Sequence, residues 1–142
     1  MTVEEAGRIL GIDPGERRVG LAVSDPLGLI AQGLPTFDRR EDGDLFARLR
    51  ELVESYRVTR IVVGHPKSLA GRHTDATVQA EGLANEIRRR LAVEVELWDE
   101  RLSSAEAERT LAGLRPDKKR IDRLAAVIIL QGYLDAHPRA AP

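Results

Sequence analysis

The chain is 142 residues long, carries a formal net charge of −1 and has a sequence pI near 6.3. That length suits one compact domain, expected to span residues 1–142 with its core over about 8–136, and leaves no room for two. With no cysteine in the chain, disulfides, thiolate metal sites and cysteine nucleophiles are excluded, which agrees with a reducing cytoplasm.

Met1 to Arg8 carries Glu4 and Glu5 and lacks the apolar run of a signal peptide. Arg8 to Asp13 reads as a short buried strand ending on a carboxylate, and Pro14-Gly15 as a turn. Arg18 to Ser24 then returns as the second strand of a hairpin. Leu27 to Phe37 is a third strand, interrupted by Gly33 and closed near Pro35. Asp42 to Tyr56 is a helix, because Leu45, Phe46, Leu49, Leu52, Val53 and Tyr56 recur on one face.

Arg60 to Gly64 is a β-branched run of the kind that forms a buried parallel strand. Asp75 to Leu91 is a second helix, with Ala76, Ala80, Leu83, Ala84, Ile87 and Leu91 directed inward. Val93 to Trp98 alternates as a half-exposed edge strand does. Ser103 opens a further helix with a capping box through Glu106, and Gly113 to Lys119 forms a loose loop. The last helix, Ile121 to Ala136, is apolar nearly all round, and Ala125 and Ala126 would let it approach a sheet closely. Its longest apolar stretch, Leu124 to Leu130, is far too short to span a membrane, so no membrane partner is expected. Pro138 to Pro142 reads as a frayed tail. Strands in a meander followed by alternating helix and strand require an α/β fold: a five-stranded mixed sheet, its first three strands antiparallel, with helices on both faces.

Three acidic positions stand at the ends of these elements. Asp13 closes the first strand, at the rim where open α/β sheets bind ligands. Asp99-Glu100 closes the last strand, and alternation sends the two side chains to opposite faces, so at most one joins Asp13. Asp122 lies in the first turn of the last helix, where the helix dipole favours a carboxylate. Alone, Asp13 is read equally well as a turn residue, while Asp99-Glu100 and Asp122 read better as a solvated strand end and a helix-start charge. Together they make an oxygen-only ligand set for a hard cation, Mg²⁺ or Mn²⁺. Such ions, in pairs roughly 4 Å apart, serve phosphoryl displacement.

Basic residues flank these acids. Arg17 and Arg18 follow the first turn, Lys67 and Arg72 follow the Arg60 strand, and Lys118, Lys119, Arg120 and Arg123 surround Asp122. Around an acidic pocket they would track a phosphate backbone, although such runs often only solvate a surface. Because the net charge is close to zero, nucleic-acid binding must rest on such local patches. Two motifs are set aside. Gly11-Ile12-Asp13-Pro14-Gly15 opens a hairpin and not a helix, so it is no dinucleotide fingerprint. His65 and His73 lack companion ligands at zinc spacing.

Four segments in order resemble one known family. They are Gly11-Ile12-Asp13-Pro14-Gly15 with Arg18-Val19-Gly20; Val63-Gly64-His65-Pro66 with Gly71; Asp99 to Ser104; and Lys119 to Asp122 with Leu124-Ala125-Ala126. These resemble the YqgF family, also called RuvX, from Arg8 to about Asp135. The resemblance implies a ribonuclease H-like fold with Asp13, Glu100 and Asp122 as catalytic acids and metal ligands, and selects Glu100 over Asp99. It implies a nuclease that processes the 5′ end of pre-16S rRNA, with ribosomal precursor particles as partners, or one that resolves Holliday junctions in branched DNA. The chain departs from the family at Gly64-His65-Pro66-Lys67-Ser68, where relatives read Gly-Leu-Pro followed by Asn. That change bears on substrate preference more than on chemistry. Three acids match, where many proteins of the wider fold use four, which leaves one metal or two.

Two rivals come from other classes. Actin-like ATPases also end a first strand in an Asp-x-Gly turn but need two such domains. A catalytically silent nucleic-acid or ribosome-associated module would keep the fold and not the acids. Scarce aromatics and singly striped helices point to a monomer or a weak homodimer.

Overall fold

The computed structural model describes residues 7–66, 74–99 and 118–138, with side chains of the last segment described from Leu124 onward. The elements are β1 (Arg8–Asp13), β2 (Arg18–Ser24), β3 (Ala31–Asp38), α1 (Leu45–Tyr56), β4 (Val58–His65), α2 (Asp75–Arg90), β5 (Glu94–Asp99) and α3 (Lys118–Ala136). The expected helix at Ser103 lies outside the described residues.

The five strands form one mixed sheet in the order β3-β2-β1-β4-β5. β1–β2 and β2–β3 are antiparallel, as tight connections demand. β4 and β5 run parallel to β1, each reached through a helical crossover. The C-terminal ends of β1, β4 and β5 therefore share one edge of the sheet.

Alternation along the strands sorts side chains into two cores. Leu10, Ile12, Val19, Leu21, Ile61 and Val63 pack under α1 and α2. Ile9, Ala22, Val62 and Trp98 pack under α3, against Ala126, Ile129, Leu130 and Tyr133. Gly11 belongs to the second face, where a Cβ would stand 2.7 Å from the Leu130 Cβ. Its missing side chain admits α3 to the sheet, a close approach the sequence suggested for Ala125 and Ala126. Ala126 makes it, while Ala125 is only half-buried.

Other differences have local causes. The third strand begins at Ala31 and not at Leu27, because Asp25 folds the preceding residues into a side-chain-capped loop. Its carboxylate accepts from the N–H groups of Leu27, Leu29 and Ile30. Burial works to raise the Asp25 pKa, but the Ile30, Leu29 and Leu27 N–H groups together hold it below the usual value. Pro35 and Thr36 jointly oppose Gly20 in a bulge, which spares Pro35 a ladder bond on this edge strand. α1 starts after Asp44, whose side chain caps the Phe46 N–H, and not at Asp42. In α2, Ala76 is exposed and Thr77 takes the inward position. The Thr77 hydroxyl donates to the Pro66 carbonyl at 2.6 Å, and its side chain completes a capping box with Thr74. α3 begins at Lys118, so Lys118 and Lys119 are helical and not loop residues.

The charged residues of the edge strand are partnered. The Arg60 guanidinium pairs with Glu94 and Glu96, and the Tyr133 hydroxyl donates to Glu96 at 2.9 Å. No helix among the described residues is long and apolar enough to cross a membrane.

Candidate functional site

Asp13 is the last residue of β1, the central strand, and is half-buried at the shared C-terminal edge. Its side chain belongs to the face of Ile9 and Gly11, four and two residues earlier, which is the face α3 covers. Opposite Asp13 on β2 stands Gly20. On β4 the pairing Ile12↔Val63 puts Gly64 in the next register position, and Gly64 in turn pairs with Trp98 of β5. The glycines on both neighbouring strands place no side chain directly beside the Asp13 carboxylate.

α3 runs antiparallel to β1. Gln131 bonds the backbone of Leu29 and Ala31, level with the start of β1, and Tyr133 bonds Arg60 near that edge and Glu96, which is level with Gly11. Ala126 and Leu130 sit over Gly11 in mid-strand. One helical turn before Ala126, on the same stripe of the helix, residue 122 falls at the Asp13 edge. The side chains of Asp122, Lys118, Lys119, Arg120 and Arg123 lie outside those described, as do Lys67, Arg72 and Glu100 altogether. Among the described residues no three His, Asp or Glu side chains form a metal-sized group, as expected when one of the three predicted acids is described.

Asp99 pairs with His65 and lies on the face of Leu97, opposite to that of Asp13. The last described residue of β5 is thus on the wrong face to join Asp13. His65 is buried on that far face and bonds Glu81 of α2 through Nε2 at 2.9 Å. This bond ties β4 to α2.

The two arginines after the first turn differ in role. Arg17 is engaged: its Nε donates to Asp38 at 3.3 Å and its Nη2 lies 3.9 Å from Glu41. Asp38 is buried, and the Arg40 N–H, followed by those of Glu41 and the Arg17 side chain, holds its carboxyl below the usual range despite burial. Arg39 adds a bond from Nε to the Gly15 carbonyl at 3.0 Å. The β1–β2 turn is thereby stitched to the β3–α1 turn. Sequence reading missed Asp38, because its partner Arg17 is 21 residues away and no short motif links them. Arg18 instead alternates with Val19 and falls on the Asp13 face. A separate cleft of about 480 Å³, lined by Gly15, Glu16, Arg39, Phe46 and Gln79 among others, opens toward α1 and α2 and does not include Asp13.

A family model described as RuvX, Holliday junction resolvase, matches residues 7–136. The chain belongs to the RuvX family. RuvX relatives named "Putative pre-16S rRNA nuclease" include one from Bacillus cytotoxicus, 44% identical over 135 residues, covering 91% of this chain and 98% of the relative. Another, from Dictyoglomus turgidum, is 44% identical over 91% of this chain and 94% of its own length. Among solved structures, Thermus thermophilus RuvC superposes with a TM-score of 0.57 at 17% identity, covering 92% of this chain and 97% of that one. The same protein in complex with a Holliday junction gives 0.55 at 19% identity, over 93% and 97%. The likeness to RuvC establishes the ribonuclease H-like fold, and the RuvX membership makes the chain a nuclease.

Proposed function

We propose that this RuvX protein hydrolyses phosphodiesters at the 5′ end of pre-16S rRNA, in the cytoplasm, using Mg²⁺ or Mn²⁺ held by Asp13, Glu100 and Asp122. The observation that carries the reading is Asp13 at the end of the central strand, between Gly20 and Gly64, on the sheet face that α3 covers. Asp99 lies on the face of Leu97, opposite to that of Asp13, which supports Glu100 over Asp99 as the proposed ligand.

The donor chemistry fits a hard divalent cation: carboxylate oxygens, no thiolate, and two glycines that place no side chain directly beside Asp13. When bound, such a cation supplies charge neutralisation at the phosphate and a water of lowered pKa. The chain's own contribution is to position Asp13, which the β1–β2 ladder fixes opposite Gly20, while the packing of Ala126 and Leu130 on Gly11 seats the helix that carries Asp122. Lys67, Arg72, Lys118, Lys119 and Arg120 are proposed to follow the phosphate backbone and Arg18 to contact a phosphate, whereas Arg17, engaged with Asp38 and Glu41, is not; ribosomal precursor particles are the proposed setting. The whole of 1–142 is proposed to act as one domain.

A second reading, resolution of Holliday junctions, is favoured by the description of the RuvX family model itself. The deciding experiment cleaves precursor rRNA ends and four-way DNA junctions side by side with wild type and Asp13→Asn. Cleavage of the rRNA by wild type alone supports the proposal. Junction cutting without RNA cutting promotes the second reading, and no cleavage of either supports a catalytically silent module.

A further inference from the structure

We infer that Arg18 is the residue that grips the reacting phosphate beside Asp13, a role distinct from the general backbone tracking assigned to the other basic residues. Arg18 opens β2, on the same sheet face as Asp13, since its neighbour Val19 packs in the opposite core. Asp13 pairs directly with Gly20, so Arg18 is its diagonal neighbour across the ladder. Such diagonal positions lie about 7–8 Å apart and are bridged readily by long side chains. Gly20, between them, puts no side chain in the way.

The Arg18 Nε is buried and finds no hydrogen-bond partner among the described residues. A buried guanidinium N–H without an acceptor among the described residues is costly and uncommon, and a bound anion would satisfy it. Arg17 shows what the same side chain does when its role is structural: it pairs with Asp38 and Glu41. The acceptor that suits an unmatched guanidinium fork is planar or tetrahedral and anionic, and a phosphodiester oxygen fits it. The turn presenting Arg18 is tight, since a Cβ at Gly15 would stand 2.1 Å from the Arg18 carbonyl oxygen. No side chain but glycine's is admitted there.

This inference rests on the nuclease reading above. The test compares wild type, Arg18→Gln, Arg18→Lys, Arg18→Gly, Asp13→Asn and the control Arg50→Gln, an exposed arginine of α1 on the other face. Single-turnover cleavage is measured at saturating precursor RNA with Mn²⁺, and binding is measured separately in chelator by fluorescence anisotropy. Arg18→Gln is expected to cut at least 100-fold more slowly at saturation while its Kd rises no more than about fivefold, as withdrawal of one cation from the phosphates allows. Arg18→Lys, which keeps the charge and loses the fork, should also be slowed at least tenfold, and Arg50→Gln should match wild type. Added methylguanidinium should partly restore the rate of Arg18→Gly, which a purely structural role would not allow. Arg18→Gln or Arg18→Lys cutting within threefold of wild type overturns the role of Arg18 and leaves the nuclease reading standing. Unfolding of both variants also overturns it, in favour of a structural role. Absence of cleavage by wild type, or full activity of Asp13→Asn, overturns the nuclease reading and this inference with it.

Discussion

Asp13 is held in the β1–β2 ladder opposite Gly20, yet its side chain is only half-buried and carries none of the apolar packing. Asp13→Asn should therefore leave the melting temperature within a few degrees of wild type while cleavage falls more than about 100-fold, since even outer-shell partners of metal sites cost 10–100-fold. A melt and a single-turnover rate check both halves. Asp38 is the opposite case, a carboxylate used for architecture. Its folded pKa is depressed, first by the Arg40 N–H, so the charged form is favoured on folding. The stability it adds is present in full above the unfolded aspartate pKa of about 3.9 and is lost as pH falls through the lower folded value. Asp38→Asn should be less stable than wild type at neutral pH, and the gap should close as the pH drops below about 4. Urea midpoints across that range measure it; a gap that widens in acid contradicts the account.

At the level of elements, α3 couples core packing to the site. One stripe, Ala126, Ile129, Leu130, Tyr133 and Leu134, is buried against the sheet, and the same stripe continued backward reaches position 122. Gly11 sets how near that helix can come. Gly11→Ala adds a methyl where the Leu130 Cβ already stands, 2.7 Å away. Overpacking of this kind costs about 1–3 kcal/mol, to be read from urea unfolding. Because the clash is with the Cβ itself, adding Leu130→Ala should not rescue the variant and should destabilise it further. Cleavage should also fall, as residue 122 moves outward with its helix. A Gly11→Ala protein with unchanged stability and rate would show that α3 has slack, contrary to the packing described.

For the whole molecule, the near-zero net charge places the burden of nucleic-acid binding on local patches. Reversing Lys118 and Lys119 to glutamate should weaken RNA binding across sequences and lower the salt slope by about 1 for each phosphate no longer neutralised. The rate at saturating RNA should change much less. Titrations at several salt concentrations test this, and an unchanged slope would make both lysines plain surface. Activity should need Mg²⁺ or Mn²⁺ and stop in chelator, because the proposed ligands are all oxygens. Persistent cleavage by protein freed of metal contradicts that ligand set. A symmetric junction calls for a symmetric dimer, whereas single-stranded RNA can be cut by one copy. Sizing in solution, paired with rates on both substrates, separates these cases.

Local pattern determined much of this. The bounds of the first two strands, the apolar faces of α1 and α2, and the edge character of β5 were legible because they depend on alternation or helical spacing within one segment. Asp13 was legible as a strand-end carboxylate before a Pro-Gly turn, and four motifs in order marked the RuvX family. What depended on partners distant in the chain was not legible. The start of the third strand differs from its sequence pattern because Asp25, with Gln131, claims the backbone that would have extended it. Asp38 carries no local signal because its value lies in Arg17, on another turn. The difference between Arg17 and Arg18, adjacent and identical in type, is set by which sheet face each meets. Only the register of β1 against β2 and β4 decides that Gly20 and Gly64 flank Asp13, and only the seat of Leu130 on Gly11 decides how α3 lies on that face. Cross-strand register and helix seating are fixed by the packing of whole faces, and no stretch of the chain contains them by itself.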